Sequence, residues 1–244
     1  MKTKLISIFT ALGLFISVLA LPIKADVGSY GQVSFGLAAG VVGNVADFDT
    51  TGKETEGTGD KKVTNASVSE SVSFGSVFIE GIARTEYVGL TLGYENVPVG
   101  QVLGNKTRTD SNDAKDTSDD GTYRGKAEIS SYQTIYIEPT IYIPNPYDWH
   151  LGIYGKVGGS RVDVRSLESI ALGDNSSAYG NESVWGDSLG VGIRAKSPWG
   201  ILLKIEYVET EYGTVKMTSA TGNKNTIEAT PEQKAARLSL GYQF

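Results

Sequence analysis

The chain contains no cysteine, and this one absence removes disulfides, thiolate metal sites and lipid-anchored cysteines together. Histidine is nearly missing too: His150 stands alone among 244 residues, so base-catalysed acyl transfer would have to rest on that imidazole. No serine close to it in sequence makes a convincing partner, and an interfacial polar residue is the plainer reading of His150. Proline is scarce, at 7 against 30 glycines and 13 tyrosines, a balance that favours strands over helices. Positive charge is the minority as well, with 22 Lys and Arg against 28 Asp and Glu and no basic cluster, which excludes nucleic acid as a partner. No glycine loop of the phosphate-cradling kind is found, and no cofactor is expected.

What the chain does have begins with one long, mostly apolar run. Leu5 to Leu21 follows Lys2 and Lys4, and small residues stand at Ala20 and Ala25, the three-part layout of a secretory signal peptide. Residues 1–25 are therefore expected to leave, with cleavage between Ala20 and Ala25, and 26–244 to form one domain. An uncleaved anchor helix competes, because the run approaches the ~18 apolar residues of a membrane span. No basic stop-transfer cluster follows it. Losing Lys2, Lys4 and Lys24 with the leader moves the formal charge from −6 to −9.

Beyond the leader no stretch has a helical period, but many alternate with period two. In QTIYIEPTIYI, Ile135, Ile137 and Ile141 share one face, while Thr134, Tyr136, Glu138 and Thr140 share the other. Eight such segments are expected, near residues 32–42, 71–80, 86–96, 126–143, 148–162, 184–195, 201–212 and 235–244. Their connections alternate in length. Long polar stretches (44–70, 97–125, 163–183 and 213–234) follow the first, third, fifth and seventh segments, whereas GIART, PNPY and KSPWG follow the second, fourth and sixth. An antiparallel up-and-down meander puts alternate connections at the same end, so the pattern predicts an all-β, eight-stranded transmembrane barrel with long loops at one rim and tight turns at the other. A hairpin inside the first or second long stretch would raise the count to ten.

Face chemistry assigns inside and outside. Trp149, Leu151, Ile153 and Val157, then Leu189, Val191 and Ile193, then Leu203, Ile205 and Tyr207, form faces that no charge interrupts. Such faces suit lipid, where a charge at the midplane costs roughly 2–4 kcal/mol. The opposite faces carry Lys156, Arg194, Lys204, Glu206 and Arg237, with small residues such as Gly152, Gly190, Gly192 and Gly241. Eight strands enclose an interior that side chains fill, so these charges and Glu138 are expected to form a mixed-sign lumen network, with Glu206 and Arg237 as its leading pair. The second segment resists this scheme, because Glu80 shares a face with Val72, Phe74 and Phe78, opposite Val77 and Ile79. A bulge or an early strand end is expected there. Trp149, Trp185 and Trp199 fit interfacial girdles.

With this layout in place, the chain resembles the small outer-membrane β-barrel families of Gram-negative bacteria, the OmpA/OmpX-like and opacity-type eight-stranded barrels. The likeness covers the mature chain in layout, and its most specific element is the ending LSLGYQF. That ending is similar to the signal read by the barrel assembly machinery, with Phe244 as the final aromatic and Leu238, Leu240 and Tyr242 at alternate positions. The resemblance implies delivery by periplasmic chaperones and insertion by that machinery. Outer-membrane lipid and lipopolysaccharide are the surroundings it implies, and a monomer is expected. It implies no chemistry.

Four readings of function remain open at this level. A structural or surface-interaction barrel leads, ahead of a narrow channel for small solutes or ions, an enzyme and a soluble lipocalin-like carrier. Asp110, Asp113, Asp116, Asp119 and Asp120 crowd the second long stretch without the spacing of an EF-hand loop. A solvated loop tip is the expectation there, not a specific metal site.

Overall fold

The computed structural model describes residues 33–55, 63–110, 121–144, 147–170, 179–219 and 225–244. The expected leader 1–25 lies outside the described residues, as do Asp113, Asp116, Asp119 and Asp120.

Within them the strands are β1 (Ser34–Thr55), β2 (Val63–Arg84), β3 (Val88–Val97), β4 (Gln101–Asp110), β5 (Gly121–Ile143), β6 (His150–Ile170), β7 (Asn181–Lys196), β8 (Ile201–Tyr212), β9 (Val215–Thr218) and β10 (Thr226–Gln243). All pairings are antiparallel, and β1 pairs with both β2 and β10, which closes the sheet into a barrel. Ten segments make eight staves. β3 and β4 both pair with β5, on either side of a break at residues 98–100 that includes Pro98, which has no N–H to give a ladder. β8 and β9 likewise share β10 across Gly213 and Thr214. No hairpin accounts for the extra segments.

The long polar stretches turn out to be largely strand. β1 runs on from Val42 to Thr55, and β2 begins at Val63. β1, β2 and β5 hold 22, 22 and 23 residues, about twice the 9–11 that a tilted strand needs to cross a bilayer. The barrel therefore projects past the apolar layer at the rim opposite its tight turns.

The second strand needs no bulge. Its pairing with β1 is regular throughout, so Phe74, Ser76, Phe78, Glu80 and Ile82 all point inward and Val77 and Ile79 outward. An irregularity lies elsewhere, in β5 between Ser130 and Gln133, where Ser131 has φ 51°. The inserted residue inverts the alternation, so Ile129 points inward on one side of it and Thr134, Tyr136 and Glu138 on the other.

The outward faces start apolar at the tight-turn rim and change character in one hydrogen-bonded row. Ile201, Leu203, Ile205 and Tyr207 of β8 give way to Glu209, Leu238 and Leu240 of β10 to Lys234, and Val41 and Val45 of β1 to Asp47. Leu189, Glu209, Lys234 and Asp47 are register partners across that boundary. One row further out, Asp187, Glu211, Glu232 and Asp49 stand side by side, and carboxylates directly opposite one another repel. Such a row is tolerable in water and not in hydrocarbon. The exposed apolar belt below it far exceeds what a water-soluble carrier leaves uncovered, which removes the lipocalin-like reading.

Two substitutions on adjoining strands should consequently have opposite signs. Ile205→Arg, inside the belt, should cost about 2–4 kcal/mol of unfolding free energy in lipid vesicles. Glu232→Lys, in the carboxylate row, should stabilise by about 0.2–1 kcal/mol. Urea unfolding followed by tryptophan fluorescence reads both.

Candidate functional site

Inside the apolar belt the lumen is filled by charge. Lys204 reaches from β8 to two carboxylates, with Nζ 2.6 Å from Glu80 Oε1 and 2.7 Å from Glu138 Oε1. Arg194 of β7 approaches the same pair, at 3.5 Å from Glu80 and 3.7 Å from Glu138, and donates to Thr91 Oγ1 at 2.8 Å. Lys156 of β6 joins Glu138, at 3.6 Å, to Glu206, at 3.1 Å. Arg237 then links Glu206, at 3.2 Å, to Glu95, with which it forms a close ion pair. Four cations and four carboxylates thus form one chain of contacts drawn from β2, β3, β5, β6, β7, β8 and β10.

Burial makes that pairing obligatory. Glu138 and Lys204 are 0% and 2% exposed, and an unpaired charge in such a place costs several kcal/mol. Remaining lone pairs are met by hydroxyls. Tyr136 donates to Glu80 at 2.8 Å, Tyr154 to Glu206 at 2.9 Å and Ser76 to Glu95 at 2.5 Å. The Lys156 ammonium also lies 3.8 Å from the centre of the Tyr136 ring, a cation–π contact. Both tyrosines lie flat against glycine: a Cβ at Gly93 would meet Tyr136 at 2.2 Å, and one at Gly192 would meet Tyr154 at 2.6 Å. Glycine at these register partners is what lets the phenols cross the lumen.

Other layers of inward side chains lie beyond the charges. Thr134, Ser160, Ser188 and Thr210 form a ladder of hydroxyl contacts at 2.9, 2.8 and 2.9 Å. Gln233 accepts from Tyr132 and Tyr212 at 2.8 and 2.9 Å. Towards the long-strand rim follows an inward apolar cluster that includes Phe48, Phe74, Val162, Val184 and Met217. On the tight-turn side, Ala38, Ile82 and Leu202 belong to a smaller cluster with Phe78 and Val42.

All six charged residues expected in the lumen, Glu138, Lys156, Arg194, Lys204, Glu206 and Arg237, are buried there, and Glu206 and Arg237 are direct register partners. Sequence reasoning missed Glu80 and Glu95. A signal for them existed: the expected six held four cations and two carboxylates, so two more negative charges were owed to the same layer. Leu238, Leu240, Tyr242 and Phe244 point outward on the strand that closes the barrel, where Phe244 N–H donates to Leu37 O and Gln243 N–H to Gly200 O. Trp149 and Trp199 lie outward beside tight turns, and Trp185 lies outward near the polar row. Among the described residues His150 contacts no nucleophile; its Nε2 is 3.0 Å from Arg84 Nη2. Of the acidic stretch, Asp110 ends β4, and no metal-ligating cluster is formed among the described residues.

No protein-family model and no curated protein matches the chain. Similar solved structures include Ail, the attachment invasion locus protein of Yersinia pestis (11% identity, 83% of this chain and 98% of that one, TM-score 0.35). Neisserial surface protein A is another (12% identity, 88% and 100% covered, TM-score 0.37). A third is the outer membrane protease OmpT of Escherichia coli (13% identity, 88% and 100% covered, TM-score 0.37). The barrel described above stands on its own strand pairing and faces.

Removing one partner from the charged layer should be severe. Lys204→Met leaves Glu80 and Glu138 short of their nearest cation and should lower unfolding free energy by about 3–5 kcal/mol in urea titrations. At the outer rim a weaker, titratable cluster offers a pH test. Hydrogen bonds from Lys216 and Lys53, both 2.7 Å away, hold the Glu228 carboxyl down at about 2, from its usual 4.5. Its folded value lies below the unfolded one, so its contribution is present above about 4.5 and fades as pH falls through about 2. Carboxyl-carbon NMR should show that low midpoint, and Lys53→Met with Lys216→Met should return it to the ordinary range.

Proposed function

We propose that the chain is an exported, non-enzymatic, integral outer-membrane barrel that acts through its membrane-embedded wall and projecting rim. The observation that carries this reading is the packed lumen: a charge-balanced layer with an apolar cluster beyond it argues against the continuous aqueous path that wider barrels keep. His150 is engaged with Arg84, and among the described residues none stands to it in the arrangement of a base and nucleophile. Leader removal within residues 1–25 belongs to this reading. So do passage by periplasmic chaperones and recognition of Leu238, Leu240, Tyr242 and Phe244 by the barrel assembly machinery. Outer-membrane lipid and lipopolysaccharide would contact the belt and the polar collar, with the barrel a monomer. The projecting rim is then the surface for partners.

A narrow channel is the second reading, favoured by the charge density of the lumen. Planar-bilayer recordings separate the two. A sealed barrel gives no reproducible conductance steps, and Phe74→Ala with Met217→Ala, which thins the apolar cluster, raises leak relative to the native chain. Regular open-state steps from the native barrel would establish the channel.

A further inference from the structure

Charge is matched contact by contact inside the lumen, but not at its tight-turn mouth. Arg84 ends β2, His150 begins β6 and Lys196 ends β7, and strand alternation turns all three inward, half-buried. His150 and Lys196 are register partners, and Lys196 senses the Arg84 charge. Among the described residues neither Arg84 nor Lys196 forms an ion pair, unlike the four cations deeper in the lumen. The acids on the adjoining turns are Glu86 and Asp148; Asp148 acts on His150 electrostatically, without a hydrogen bond between them among the described contacts.

The arrangement is built. A guanidinium only donates, so His150 Nε2 accepts from Arg84 and the neutral ring carries its proton on Nδ1, a buried nitrogen with no partner among the described residues. The Tyr142 ring lies 5.6 Å from the Arg84 guanidinium carbon and gives it a second support. His150 and Tyr142 thus orient the guanidinium at the mouth, and Lys196, the register partner of His150, brings a second cation to the same rim. Two neighbouring cations without a carboxylate call for an anion that can neutralise both at once. A phosphate does so with several acceptor oxygens on one centre, and guanidinium and ammonium are its usual ligands.

We propose that this mouth is a phosphate-binding site, with Arg84 and Lys196 as ligands and His150 as the positioning residue. The phosphate is either free or the headgroup of a phospholipid in the adjoining leaflet. The proposal rests on the mouth's geometry and holds whether or not the lumen conducts.

The test uses the full barrel, folded in a phosphate-free neutral detergent. It is titrated separately with inorganic phosphate, dihexanoylphosphatidylglycerol and sodium chloride at equal ionic strength, with the His150 ring nitrogens followed by NMR. Saturable shifts with phosphate, with the lipid or with both support the site and identify its source. Affinity should fall roughly tenfold in Arg84→Gln and in Lys196→Gln, with heat-modifiable migration on gels showing that both variants still fold. Shifts equal to those in chloride, or unchanged in the two variants, overturn the proposal. So does a free-state His150 ring protonated at Nε2, a readout that needs no variant.

Discussion

A charge buried in a narrow lumen must be paired there, and that single constraint organises this barrel. Four cations and four carboxylates from seven of its strand segments meet in one layer. Because each stave contributes at a fixed register position, the layer also specifies the register. A slip of one residue would turn a strand's lumen charges towards lipid and its apolar residues inward. The tyrosines that complete the carboxylate shells need glycine opposite them, so part of the glycine content follows from the same requirement.

Much of this was legible in the sequence, and the limits of legibility are physical. Within the bilayer the two faces of a strand meet opposite solvents, so period-two alternation is strong and the inward placement of Lys156, Lys204 and Arg237 could be read directly. Beyond the polar row the outside meets water. There Asp47, Asp49 and Lys53 alternate with Phe48 and Thr50, and the contrast fades into what resembles a polar loop. Periodicity therefore does not reveal the strand extensions. Glu80 shares its face with Phe74 and Phe78, and aromatic rings suit lipid as readily as a filled lumen, so the alternation alone does not show that this face points inward. Ser131 carries no sequence mark of a bulge, since a serine at positive φ looks like any other serine.

The same physics divides the molecule by height. The tight-turn half is a lipid-facing wall around a charged interior, while the projecting half is a water-facing wall around an apolar interior. That inversion stabilises the projecting part without a bilayer, because Phe48, Phe74, Val184 and Met217 give it an ordinary hydrophobic core. Tyr179, tied to Glu54 at 3.2 Å, and Asn225, tied to the same carboxylate at 3.0 Å, anchor two incoming segments to β1 at that end.

The central claim is that the lumen charges are paired with one another and not with bulk water. Lysine-labelled barrel in lipid vesicles allows this to be read by solid-state NMR, through contacts from the Lys204 ammonium nitrogen and through polarisation transfer from water. The account predicts cross-peaks from Lys204 Nζ to the carboxyl carbons of both Glu80 and Glu138, with slow transfer from water. Rapid transfer from water without those cross-peaks would contradict it.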